Sequence, residues 1–150
     1  ALLYRTPLGP YDYVGLTVAN GRVYVADHDR EMIYMFSTSD GTLLGQWSTF
    51  DHSTIYDRSP WGIVATRHGT LWVVTRYGFA EFGQDGTGPL QAFEAPGIGV
   101  GQLDSPLDIA ADDAGRVYVT DRTWCRVQAF LDRAVSARPL SWGALHQIYR

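Results

Sequence analysis

The 150-residue sequence predicts an all-β chain built from three copies of one four-stranded unit, and three observations carry that expectation. First, Val23-Tyr24-Val25-Ala26-Asp27, Leu71-Trp72-Val73-Val74-Thr75 and Val117-Tyr118-Val119-Thr120-Asp121 recur at separations of 48 and 46 residues. Second, period-two segments rich in Val, Tyr, Trp and Ile run through the chain, while the one short helix candidate, Ala144 to Tyr149, is weak. Third, sixteen glycines and seven prolines are spread evenly, as many short strands and turns require. Four-stranded units repeating every roughly 40 to 50 residues are the signature of a β-propeller, each unit forming one blade.

The elements follow in order. In the first unit, spanning about 11–48, Tyr13–Val18 and Arg22–Asp27 are strands joined at Asn20-Gly21, a pair that supplies the positive φ of a tight hairpin. Met32–Ser37 and Thr42–Trp47 complete it. The second unit, 60–94, takes Gly62–Thr66, a turn at His68-Gly69, then Thr70–Thr75, Phe79–Phe82 and Leu90–Phe93. The third, 105–143, takes Leu107–Ala111, a turn at Asp113-Ala114-Gly115, then Arg116–Asp121, Arg126–Phe130 and Pro139–Trp142. Trp61, Trp72, Tyr24, Tyr118 and Phe130 fall on strands and are expected to pack between blades. Phe50, Tyr56, Tyr77 and Trp124 fall in loops.

Composition narrows the class. The chain is 45% apolar with a net charge of −4, so it can bury a core and lacks the basic face expected of a nucleic-acid binder. No apolar stretch approaches the length of a membrane-spanning helix. A lone Cys125 rules out an internal disulfide or a multi-cysteine metal site. All twelve basic residues are arginine, read here as composition bias. Ala1 in place of Met reads as a processed or partial product; it suits cleavage after a small-residue signal site, so a secreted or periplasmic location is expected, with the cytoplasm left open.

The third unit resembles a known family. Gly99-Val100-Gly101-Gln102-Leu103, Ser105-Pro106-Leu107-Asp108-Ile109-Ala110, Gly115-Arg116-Val117-Tyr118-Val119-Thr120-Asp121 and Arg126-Val127-Gln128-Ala129-Phe130 keep the order and spacing of an NHL repeat. The family pattern runs roughly G-Q-x-x-x-P-x-G-I-A-V-D, then G-x-V-Y-V-x-D, then N-R-V-Q-x-F. Asp108 stands where glycine is typical, and Cys125 where Asn or His is. The first unit is similar over fewer residues. The second is degenerate, with Thr75 in place of the acid and no arginine before Phe79. The resemblance implies that Asp121 and Arg126 tie the loop between second and third strands to its own blade, with Asp27 the equivalent acid. Met32 fills the arginine slot there, so Asp27 needs another partner, for which Arg30 is the candidate. It also implies half of a six-bladed ring, since three blades leave two bare faces; a second copy, blades from another segment or a larger assembly would close it.

Candidate chemistry is thin. His28, His52, His68 and His146 show no metal-ligand spacing; only His28 and His52 could share a rim, which makes them weak zinc candidates. Thirteen aspartates against three glutamates raise a calcium reading through Asp27, Asp29, Asp51, Asp57, Asp112 and Asp113, yet aspartate is equally a turn residue. Cys125 lies beside Arg126, which would favour its thiolate, but no histidine adjoins it. Gly97 to Gly101 precedes no helix able to hold a phosphate. The reading that results is a non-catalytic interaction or assembly module without a cofactor, its rim loops bearing Asp29, Arg30, Arg76, Tyr77, Arg122 and Trp124 and binding a protein partner or the chain's own copies. The alternative is a propeller enzyme of the lyase or lactonase kind with a divalent metal, zinc or calcium, near the channel.

Overall fold

The computed structural model describes residues 8–10, 12–49 and 59–132. Eleven strands and no helix lie among them. The first sheet holds β1 (Tyr13–Ala19), β2 (Arg22–Asp27), β3 (Met32–Ser37) and β4 (Leu43–Ser48), paired antiparallel in sequence order. The second holds β5 (Gly62–Ala65), β6 (Thr70–Thr75), β7 (Gly78–Gly83) and β8 (Gln91–Glu94) in the same order. In the third, β10 (Arg116–Asp121) lies between β9 (Pro106–Ala111) and β11 (Arg126–Leu131). The fourth strand expected at Pro139–Trp142 and the helix candidate at Ala144 to Tyr149 lie outside the described residues.

Local chemistry sets these boundaries. Asn20 and Gly21 both take left-handed φ values, 50° and 72°, so Ala19 pairs Arg22 across a two-residue turn whose twist matches the strands. Glu31 and Cys125, each just before the third strand of its blade, sit at φ 56° and 48°. The turns they close are therefore alike: Asp27 pairs Met32, and Asp121 pairs Arg126. The second blade differs, because Thr75 pairs Gly78 across Arg76-Tyr77 alone. Its motif is degenerate because that hairpin has lost the longer turn, and Gly78 occupies the arginine's place. β7 accordingly starts one residue ahead of the expected Phe79, and Leu90 lies before β8.

Alternation gives each sheet two faces, and adjacent faces make the core. Tyr24, Ala26, Ile33 and Met35 of the first blade pack on Ile63, Leu71, Val73, Ala80 and Phe82 of the second. Trp72, Val74 and Phe79 on the second blade's other face pack on Ile109, Val117, Val119 and Phe130 of the third. In that second layer the ring centroids of Trp72 and Phe79 are 4.5 Å apart, and those of Phe79 and Phe130 are 5.2 Å apart. Of the aromatics expected between blades, Tyr24, Trp72 and Phe130 are buried, whereas Trp61 and Tyr118 are half-buried.

β1, β5 and β9 are the inner strands, each against the next. Two glycines permit that approach. A Cβ on Gly15 would stand 3.1 Å from the Ile63 nitrogen, and one on Gly62 would stand 3.1 Å from Asp108 Cα. The next position in this series is Asp108 itself.

Candidate functional site

Because the blades repeat, the turns between their second and third strands all lie at one end of the molecule, and six of the rim residues expected from sequence stand there. Asp29 and Arg30 are exposed on the first turn. Arg76 is exposed on the second, its guanidinium carbon 5.5 Å from the centroid of the half-buried Tyr77 ring. On the third, Arg122 is exposed and Trp124 keeps 40% of its surface open. Ser105 links the last two turns: its N–H donates to the Arg76 carbonyl at 3.0 Å and its carbonyl accepts from the Arg122 N–H at 3.2 Å. The first turn reaches the second blade through His28, whose Nδ1 lies 3.2 Å from the Pro60 carbonyl and whose ring stands 4.1 Å from that of Trp61.

Below the rim, each long turn closes over a buried acid. Asp121 accepts from Arg126 Nε at 3.1 Å and from the Asp104 N–H at 3.4 Å. The rest of the Arg126 guanidinium donates to the carbonyls of Ile98 (2.5 Å), Gly97 (3.3 Å) and Gln102 (2.6 Å). Gln128 joins in, accepting from the Gly101 N–H at 2.8 Å and donating to the Gln102 carbonyl at 2.5 Å. Two carbonyls of the glycine-rich 97–101 loop, those of Gly97 and Ile98, thus turn toward a cation, the opposite polarity to a phosphate cradle, which presents N–H groups. In the first blade Asp27 is fully buried and accepts the backbone N–H of Arg30 at 3.1 Å, while its Oδ2 has no hydrogen-bond partner among the described residues. It is the backbone of Arg30 that meets the acid; the guanidinium points to the Tyr34 hydroxyl at 3.5 Å.

The other candidates do not converge. His68 lies at the opposite end, beside Arg67 Nε at 3.2 Å and 4.0 Å from the buried Asp132 carboxylate. His52, His146, Asp51, Asp57, Phe50 and Tyr56 lie outside the described residues. Among the described residues no three His, Cys, Asp or Glu side chains are grouped to hold a metal ion. Cys125 is an exposed free thiol, its Sγ 3.7 Å from the Arg122 carbonyl. Asp112 serves its own turn: Oδ1 accepts the N–H groups of Ala114 and Arg116, both at 2.9 Å. The Arg116 backbone N–H above all, and then its side chain, hold the Asp112 carboxyl down to about 2.

Several residues of weight escaped the sequence reading. Gln102 and Gln128 were visible only as letters of a motif. Glu81, buried on β7, accepts from Gln91 Nε2 at 2.5 Å, and burial pushes its carboxyl up, with the Asp132 charge adding to the effect. Its period-two position on a strand was the available signal, since a charged residue there must face either water or a partner.

Residues 103–130, which hold all but the last residue of the three described strands of the third blade, match the NHL repeat family model. No curated protein matches the chain. Among solved structures, a catalytically inactive virginiamycin B lyase from Staphylococcus aureus, solved with quinupristin, aligns at 14% identity and a TM-score of 0.58, over 81% of this chain and 41% of that one. A gluconolactonase from Xanthomonas campestris aligns at 22% identity and a TM-score of 0.54, over 73% of this chain and 34% of that one. The computationally designed Ika4 protein aligns at 10% identity and a TM-score of 0.50, over 89% of this chain and 99% of that one. These likenesses establish the β-propeller fold. The chain spans less than half the length of the two natural enzymes.

Proposed function

We propose that this chain is a non-catalytic binding module whose rim of second-to-third-strand turns engages another protein. The observation that carries the reading is Trp124. It stands 40% exposed beside exposed Arg122, on a turn whose foot is anchored by the Asp121–Arg126 pair. An aromatic and an arginine on a pre-ordered loop are the composition of a binding hot spot, because little conformational freedom is lost when they are covered. Asp29 and Arg30 on one side and Arg76 and Tyr77 between extend the same rim with both signs of charge. An enzymatic reading draws only on the fold shared with the lyase and the lactonase. Its weak metal ligand His28 is already seated against Pro60 and Trp61.

The test is comparative capture from extracts of the source cells by the chain, by an Arg122→Ala/Trp124→Ala variant, and by Arg67→Ala at the opposite end. Proteins retained by the chain and by the last variant, and lost by the rim variant, are the expected result. Equal capture by all three would remove the rim from consideration.

A further inference from the structure

The two outer faces of this three-blade stack are built as halves of one blade–blade interface, and among the described residues both are open. Leu16 on β1, Ile63 on β5 and Ile109 on β9 are equivalent residues on the face that receives the preceding blade. Ile63 and Ile109 are 4% and 6% exposed, whereas Leu16 is 64% exposed. On the opposite face Ile33, Phe79 and Val127 are equivalent. The first two are 0% and 6% exposed, and Val127 is 63% exposed. Val18 beside Leu16 and Leu131 beyond Val127 are exposed as well, at 57% and 49%. Contiguous apolar surface of this kind marks a contact surface.

The polar contacts repeat too. In the first blade Tyr24 Oη donates to the Gln84 carbonyl of the second blade at 3.0 Å, and Arg22 donates to the same oxygen at 3.3 Å. Arg22-Val23-Tyr24 recurs in the third blade as Arg116-Val117-Tyr118. There Tyr118 Oη and Arg116 Nε both turn to Asp112 Oδ2 of their own blade, at 3.0 and 2.7 Å. The first-blade position equivalent to Gln84 is Thr38, so a first blade laid on this face brings the Thr38 carbonyl to the Arg116–Tyr118 pair.

We propose that a second copy of this chain covers both faces, the third blade of each against the first blade of the other, about a twofold axis along the channel. A second copy is the occupant because the missing half of each open face is the other open face of the same chain. The contact continues the interface already formed between the first and second blades. Two copies then close a ring with no bare blade face. One residue opposes close docking. Where Gly15 and Gly62 admit the next inner strand, Asp108 carries a Cβ and a carboxylate, so the joint between copies is looser at its inner edge than the joints within a chain.

That departure supplies a test in which association is gained. Sedimentation velocity on the chain at roughly 50 µM is expected to give the mass of two copies. Leu16→Glu and Val127→Glu, both at exposed positions, each weaken dimerisation by about tenfold or more while the circular dichroism of the monomer is unchanged. Asp108→Gly strengthens it several-fold. A monomer would overturn the proposal and assign the faces to another chain or another segment. A dimer indifferent to Leu16→Glu and Val127→Glu, or one weakened by Asp108→Gly, would equally overturn it. None of these residues belongs to the rim, so failure here leaves the rim reading standing.

Discussion

Arg126 binds four acceptors drawn from its own blade and from the loop before it: the Asp121 carboxylate and the carbonyls of Gly97, Ile98 and Gln102. Asp121 is 2% exposed, so removing the guanidinium leaves a buried carboxylate with only the Asp104 N–H and takes a donor from the carbonyls of Gly97 and Ile98, while Gln102 keeps Gln128. Arg126→Ala is expected to destabilise the chain by about 3 kcal/mol, read as a shifted urea midpoint with an unchanged slope. Arg126→Lys recovers only part, because an ammonium cannot reproduce the planar fork. The Asp121–Arg126 pairing could be anticipated from the family resemblance. The carbonyl acceptors could not, because which way a glycine-rich loop turns its peptide planes is set by what it folds around. Asp27 shows the same limit from the other side. The acid was legible at its repeat position, but its contact with the Arg30 backbone depends on the turn closed by Glu31.

At the level of elements, the strands were largely legible because period-two alternation and turn residues both mark them, and the two signals agree at nearly every boundary. The second blade is the informative exception. Its shortened Arg76-Tyr77 hairpin removes the acid and arginine of the motif together, and the strand starts earlier than the side-chain pattern suggests. The inner strands carry a separate constraint, that of blade-to-blade spacing. Gly62→Ala would place a methyl 3.1 Å from Asp108 Cα and 3.2 Å from the Ile109 nitrogen, both backbone neighbours, so the blades must move apart. A loss of about 1 to 3 kcal/mol is expected in chemical denaturation, with the far-ultraviolet spectrum retained.

The described residues are held by two apolar layers between three blades, and Glu81 is an ionisable group buried beside the second of them. Glu81 is 1% exposed, on the same β7 face as Phe79, and burial raises its carboxyl pKa, with Asp132 contributing a like charge. A carboxyl whose folded pKa is raised stabilises below its unfolded pKa, and that contribution is lost as pH rises through the folded value. Glu81→Gln is therefore expected to flatten the fall in Tm above about pH 4.3, the ordinary glutamate pKa, while leaving Tm near that pH much as before. An unaltered slope would mean that Glu81 is ionised without cost.

What the sequence determined by itself was the repeat: strand order, turn chemistry and the alternating faces that make each unit a blade. Those features rest on local stereochemistry and on a period of two, which are written residue by residue. What only the tertiary structure decided was how the blades meet. It showed which acids are buried, that the carbonyls of Gly97, Ile98 and Gln102 accept from Arg126, and that Leu16 and Val127 stand open where their equivalents are covered. Identical local patterns acquire different environments from their place in the stack, so a blade at the end and a blade in the middle read alike until they are assembled.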